Sequence, residues 1–247
     1  MRRVFSLNAL VFGGLIALGM VSASALLARA IMKFRSTGSF VTVKGLAEKE
    51  VKSDAALWKI KLKVSGNDFA STSKDITQKN TLVQQFLEQN GLSAEEIGTP
   101  SMRVLDLYAR EFGHEQIPPM RYVFETKFLI NSKNVDLVAK ASSKTSELIG
   151  QGIILEENEY DINPKYFFTK LNDIRPQILA EAMQSARSLA EQFARDSQNK
   201  VGPIKSANQG VFHILDRESN DGASTSDMAS VMKKIRVVST IDYYLIE

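Results

Sequence analysis

Ala56-Leu57-Trp58-Lys59-Ile60-Lys61-Leu62-Lys63-Val64 alternates strictly between two kinds of side chain. Trp58, Ile60, Leu62 and Val64 occupy one parity, and Lys59, Lys61 and Lys63 the other. Side chains of a strand point to opposite faces with a period of two, so this stretch reads as a strand with one buried and one wet face. Strands buried on both faces of a parallel sheet read as continuous apolar runs instead, so the alternation points to an antiparallel sheet. The three lysines could meet anionic lipid or an acidic partner, but alternation by itself asks only for solvent.

Working outward, Phe40-Val41-Thr42-Val43-Lys44 is a β-branched run closed by Gly45, a second strand signal. Downstream the period changes. Ile76, Leu82, Val83, Phe86 and Leu87 suit a helix over residues 67–90, with Gly91 as its stop. Met102, Val104, Asp106 and Tyr108 begin a new extended segment, interrupted by a loop around Gly113 and Pro118-Pro119. Tyr122, Phe124, Thr126, Phe128 and Ile130 line one face of a long strand. Residues 134–149 read as helix and 153–166 as strand. Residues 172–199 read as helix, on the recurrence of Ile178, Leu179, Ala182, Met183, Ala186, Leu189, Ala190 and Phe193, with Pro176 in its first turn. An extended run after Gly202-Pro203 through Leu215, a polar loop and a strand over 233–246 complete the order ββ–α–ββ–α–β–α–ββ. Hairpins interleaved with helices indicate an α+β fold with mostly antiparallel sheets. The pattern leaves room for two subdomains, divided near residues 113–119.

The N-terminus is a different object. Residues 4–28 hold no charge, and about 20 apolar residues suffice to cross the hydrocarbon core. Arg2 and Arg3 precede the run, which orients such a span with its N-terminus in the cytoplasm. Two fates are open: an uncleaved anchor, or a signal peptide cut after Ala23-Ser24-Ala25. Either exports the remainder. The expected organisation is anchor or signal over 1–33, a linker over 34–39 and one domain over 40–247. The leading 35 residues also carry five basic and no acidic side chains, which leaves 26 basic against 28 acidic from Ser36 onward. The exported part is close to neutral, so a nucleic-acid footprint is not expected. Without cysteine there is no disulfide framework or thiol chemistry.

Catalytic signals are sparse. His114 and His213 are the only histidines and lack helical spacing, which excludes a H-E-x-x-H zinc site. His213 sits in an apolar strand, where a hydrogen-bonded core histidine is expected. Ser71-Thr72-Ser73-Lys74 spells S-x-x-K, the acylating motif of penicillin-binding enzymes, but its companion S-D-N and K-T-G elements are missing. Its hydroxyls at a helix start fit capping, with serine oxygens accepting from free N–H groups. Asp216-Arg217-Glu218-Ser219-Asn220-Asp221-Gly222 and Asp227 have a faint calcium-loop spacing, but the required glycine and glutamate positions hold Asp221 and Asp227. Glu156, Glu157, Glu159 and Asp161 form an acidic run of the kind that protects a strand edge. No catalytic, cofactor-binding or metal-binding residue set is expected.

Taken in order, several passages resemble the SIMPL-domain family of exported bacterial proteins. They are Val41-Thr42-Val43-Lys44-Gly45 with Asp54-Ala55-Ala56; Asn90-Gly91-Leu92 followed by Ile97-Gly98-Thr99-Pro100; Asn134-Val135-Asp136-Leu137; and the helix over 182–194 followed by Val201-Gly202. Ser53 stands where the family often has proline, and Leu189 where lysine is common. The resemblance implies an α+β domain in the export compartment, frequently a homo-oligomer, linked to bacterial stress resistance and without an established catalytic set. The expectation is a non-enzymatic, membrane-tethered periplasmic module for assembly or interaction, held in the inner membrane by its N-terminal helix. The alternatives are a soluble periplasmic form after cleavage, an envelope hydrolase using Ser71 and Lys74, or a binder of small apolar ligands.

Overall fold

The structure, a computed structural model, describes residues 2–36, 38–109, 119–155, 163–219 and 228–246. In its α+β fold, helix α1 (Arg2–Ser36) precedes two antiparallel sheets and their helices. The chain forms two compact units: residues 1–47, 179–211 and 237–247, and residues 48–178 and 212–236. The boundaries therefore do not fall in the loop at 113–119, which is internal to the second unit. Three long elements, rather than a linker, pass from one unit into the other: β1 (Phe40–Lys52), α6 (Leu171–Asp196) and β8 (Met232–Ile246).

The second unit is built on β2 (Ala55–Gly66). It pairs along its length with β4 (Tyr122–Ser132), from Ala56↔Ser132 to Gly66↔Tyr122, and at its start with β5 (Lys165–Phe167). β3 (Ser101–Asp106) completes the order β3-β4-β2-β5. The alternation read from the sequence is realised here. Trp58, Ile60, Leu62 and Val64 are buried, and so are Phe124, Phe128 and Ile130 of β4. The core is completed by Ile76, Val83, Phe86 and Leu87 of α2 (Phe69–Gln89) and by Val135, Val138 and Ala141 of α4 (Val135–Ser142).

α2 ends as its sequence requires. Gly91 takes φ 91°, Leu92 N–H bonds the Leu87 carbonyl, Gly91 N–H bonds that of Glu88, and Leu92 and Leu87 are both buried. This is the Schellman arrangement, in which a left-handed residue satisfies the last carbonyls of the helix. The single helix expected over 134–149 is instead α4 and the short α5 (Ser146–Gly150), separated by turns at 143–145. Hydroxyls of Ser142, Ser143 and Thr145 each bond a carbonyl three residues back, and this competition with the helix ladder breaks it. Of the strand expected over 153–166, the described part is a bridge of Leu155 to Leu62 and the three residues of β5. The acidic run Glu156, Glu157, Glu159 and Asp161 lies outside the described residues.

The first unit sets α6 against a sheet in the order β1-β8-β6, with β6 spanning Lys200–Gln209. β7 (His213–Asp216), in the second unit, pairs with the first residues of β8. The buried seam of α6 within the first unit is a four-residue repeat of alanine: Ala182, Ala186, Ala190 and Ala194. Met183, Leu189 and Phe193, expected to share the buried face, are exposed. The reason is distance. A Cβ on Gly45 of β1 would fall 2.0 Å from the Ala182 carbonyl oxygen and 2.8 Å from the Ala186 Cβ. Helix and strand approach so closely that only alanine fits between them. Pro176 is also placed differently from expectation. α6 begins at Leu171, so the proline lies past the first turn and leaves one helix carbonyl without its donor.

α1 contains an apolar stretch, Val11–Arg29, of mean hydropathy 2.1, long enough to cross a membrane; an export signal meets the same test. Its Ser22 and Ser24 hydroxyls bond the Leu18 and Met20 carbonyls, so neither needs an outside partner. The helix continues to Ser36, into the segment expected to be linker.

Gly45→Ala is expected to cost about 3 kcal/mol, since neighbouring backbone must move to admit the methyl group. Gly150→Ala, where nothing lies within 4 Å, is expected to be neutral or slightly stabilising. Urea unfolding of the two variants measures the contrast.

Candidate functional site

Ser71 and Lys74, the nucleophile and base of the hydrolase alternative, lie exposed in the first turns of α2. The Ser71 hydroxyl donates to the Asp68 carbonyl at 3.3 Å, and among the described residues no hydrogen bond or ion pair holds Lys74. The capping chemistry at this helix start is real, but Asp68 supplies it. Its carboxylate accepts the Ser71 N–H at 2.8 Å, which holds the Asp68 carboxyl below its ordinary range. The Ser71 and Thr72 hydroxyls, expected to accept, both donate to the Asp68 carbonyl, because the helix begins one turn earlier than the hydroxyl run suggests.

His213 is exposed on β7 opposite Arg236, a correction to the expected core histidine. His114 lies outside the described residues, as do residues 220–227 of the calcium-like spacing. The described end of that spacing serves another purpose. The buried Asp216 carboxylate accepts from the buried Lys233 ammonium and from the Ala229 and Ser230 N–H groups, at 3.1 and 3.3 Å. It pins the chain entering β8. Among the described residues no group of three or more His, Asp or Glu side chains converges in a way that could hold a metal ion.

The wet face of the second unit's sheet carries its own node. Glu125 accepts Arg103 at 3.1 Å, Lys127 at 3.3 Å and Lys61 at 3.5 Å. Burial pushes its carboxyl up, but the three cations outweigh that and leave it below the usual range. So one of the three alternating lysines, Lys61, is tied down on a shared carboxylate.

The side chains that converge without an evident structural debt lie where β3 meets β4 and the first turn of α2. Arg121 forks onto Asp106, its Nη2 2.9 Å and its Nε 3.2 Å from the carboxylate oxygens. The guanidinium lies 4.9 Å from the Tyr122 ring centroid and 5.7 Å from that of Tyr108. The Arg121 hydrogen bonds lower the Asp106 carboxyl, and the carboxylate in turn raises Arg121. Asn67 fixes the backbone beside them, accepting the Arg121 N–H at 2.9 Å and donating to the Pro119 carbonyl at 3.2 Å. Phe69 packs edge-on to Tyr122 at 5.4 Å and lies 5.2 Å from Phe124. Although engaged on one side, Phe69 is still 51 % exposed, and Met102, Val104, Tyr108 and Met120 beside it are exposed as well. The result is an aromatic and aliphatic shelf with a fixed cation at one end. It offers contact area and no nucleophile. Sequence alternation places Met102 and Val104 on one face of an extended segment, and nothing in it reveals that they stay exposed.

The residues that carry this fold, 41–241, match the family model SIMPL, a protein of unknown function (DUF541). The chain belongs to the SIMPL family. The match spans both units, so each of the two sheets lies within what the family model describes. It also places Gly45 and the alanine seam inside the SIMPL region, giving the glycine that closes Val41-Thr42-Val43-Lys44 a steric reason. No curated protein matches the chain.

Two outcomes are expected of the buried groups. Lys233→Met leaves the Asp216 charge without its counter-ion and is expected to cost about 3 kcal/mol, with Asp216→Asn in the same chain recovering part of it, by urea unfolding. Glu96, in the short helix α3 (Ala94–Ile97), accepts from the Ser132 hydroxyl at 2.6 Å and from the Ser93 N–H at 2.9 Å, and these bonds hold its carboxyl below the ordinary 4.5. Its contribution is thus complete above that value and drains away as pH falls through the lower folded value. Glu96→Gln is expected to lose about 1 kcal/mol at neutral pH and to flatten that acid dependence, read from thermal unfolding between about pH 3 and 7.

Proposed function

We propose that this SIMPL-family chain is a membrane-tethered module that works in the bacterial periplasm by binding protein, copies of itself included, and not by catalysing a reaction. The observation that carries this reading is the shelf of exposed Phe69, Met102, Val104 and Tyr108 around the half-buried Tyr122, an apolar surface beside an anchored arginine. Exposed apolar area rimmed by polar groups is the usual form of a protein-binding surface, and aromatic residues with arginine dominate the energetics of such surfaces. The tether is α1, whose apolar stretch is preceded by Arg2 and Arg3, an arrangement that leaves the two sheets outside the cytoplasm. A homo-oligomer in the inner membrane, with a role in envelope or oxidative stress, is what the SIMPL resemblance implies for such a module.

The alternatives draw less support. The hydrolase reading needs Lys74 to take the Ser71 proton, and that hydroxyl points to the Asp68 carbonyl instead. Among the described residues, one hollow, lined by Leu57, Lys59, Asn163 and Lys165, is water-sized and would not admit a lipid chain.

The intact mass of the membrane-fraction protein is expected to correspond to all 247 residues; loss of residues 1–25 would make it a soluble module. Native mass spectrometry of the full chain, released in a non-ionic detergent, is expected to find a homo-oligomer or a bound protein. A strict monomer carrying nothing would overturn the binding reading.

A further inference from the structure

β3 ends its sheet, and among the described strands it pairs only with β4. Its ladder settles which backbone groups are used. Leu107 N–H donates to the Arg121 carbonyl at 2.8 Å, and the register from Ser101↔Lys127 to Asp106↔Tyr122 continues that pairing. In an antiparallel pair, alternate residues exchange both of their bonds with the partner strand, and those between them face away. Ser101, Arg103 and Leu105 therefore face β4, and the N–H and C=O of Met102 and Val104 point off the sheet.

Other strands of this protein carry the devices that discourage pairing at an edge. β6 contains Pro203, Lys200 and Lys205 and two register irregularities. β1 bears Lys44, Glu48, Lys49, Glu50 and Lys52, and β5 is three residues long. Proline, charge, irregularity and shortness are the usual means of blunting an edge. β3, Ser-Met-Arg-Val-Leu-Asp, has one charge before its last residue, no proline and no bulge.

Its two faces then define what fits. Met102 and Val104, 47 % and 40 % exposed, continue the shelf begun by Phe69. The opposite face carries the Arg103 side chain, 70 % exposed, and that of Lys127, 59 % exposed, across from Ser101. A strand laid along β3 places its residues opposite Met102 and Val104 on the apolar shelf and the residue between them against Arg103. A second copy of β3 meets a conflict in two of its registers. In one same-face register it opposes Arg103 to Arg103, and in the next it sets Met102 against Asp106. Like charges directly opposite one another are destabilising.

We propose that β3 is an open strand-addition site for an extended peptide carrying an acidic residue between two apolar ones. The proposal rests on the binding reading above and names its partner chemistry. Main-chain bonds to Met102 and Val104 supply affinity, and the shelf and Arg103 supply selectivity.

The test uses the full chain in non-ionic detergent and the capped peptide Thr-Val-Glu-Val-Thr. Binding is followed by fluorescence anisotropy and by hydrogen exchange of the β3 amides. The expected result is saturable binding that slows exchange at Met102 and Val104, about fivefold weaker when lysine replaces the central glutamate. Val104→Pro is expected to abolish binding with unchanged thermal stability, because the N–H it removes lies outside the β3–β4 ladder. Arg103→Gln keeps the ladder and is expected to erase the preference for glutamate over lysine. Absence of saturable binding, equal binding by Val104→Pro, or pairing of two chains through β3 would overturn the proposal. If the peptide fails while native mass spectrometry still finds an assembly, this site falls and the binding reading stands.

Discussion

The second unit depends on one strand being wet on one side and dry on the other. β2 is paired on both edges, so its register with β4 decides which side chains enter the core. A slip of one residue would turn Trp58, Ile60 and Leu62 to solvent and bury Lys59, Lys61 and Lys63. No such slip is tolerable, and the pairing is consequently fixed along the whole strand. Once it is fixed, Glu125 must face the same side as Lys61 and Arg103, and Phe124 must face α2. The cationic face, the aromatic shelf and the seat of α2 are all consequences of that single parity.

What the sequence made legible obeyed the same rule of periodicity. β2 and α2 were readable because strand and helix each impose a period that survives inspection of one segment alone. α6 is readable as a helix, and Ala182, Ala186 and Ala190 are among its recurring residues, but nothing in the sequence separates them from Met183, Leu189 and Phe193, which are exposed. The seam is set by Gly45, far earlier in the chain, and hydrophobicity ranks Leu189 and Phe193 above the alanines that actually fill it. The break after α4 was missed because Ser142, Ser143 and Thr145 look like ordinary polar positions of a helix until their hydroxyls are seen bonding the backbone. Asp216 drew attention through its spacing with other acids, whereas its partner proved to be Lys233, with 220–227 between them in the chain. Such pairings depend on a fold and leave no local signature.

The polar chemistry of the described residues is largely committed to holding the structure. Asp68 caps α2, Asp216 pins the entry to β8, Glu96 ties a short helix to the end of β4, and Glu125 gathers three cations. Each is an acid satisfied by donors of its own chain, an arrangement that gives rigidity and leaves little for a substrate. The apolar side chains are the ones left over at the surface.

β1 and β8 are neighbours in their sheet, and the Thr42 hydroxyl donates to Asp242 across a separation of 200 residues in the chain. The first unit therefore cannot close until its last strand has been made. Closing so large a loop precedes any reward from the contacts it brings, so this sheet is expected to form late. A nascent chain of this design stays open while it is being synthesised. Under the export proposed above, in which the chain is threaded through a membrane before it folds, that delay is an asset: the parcel is tied by the last length of string.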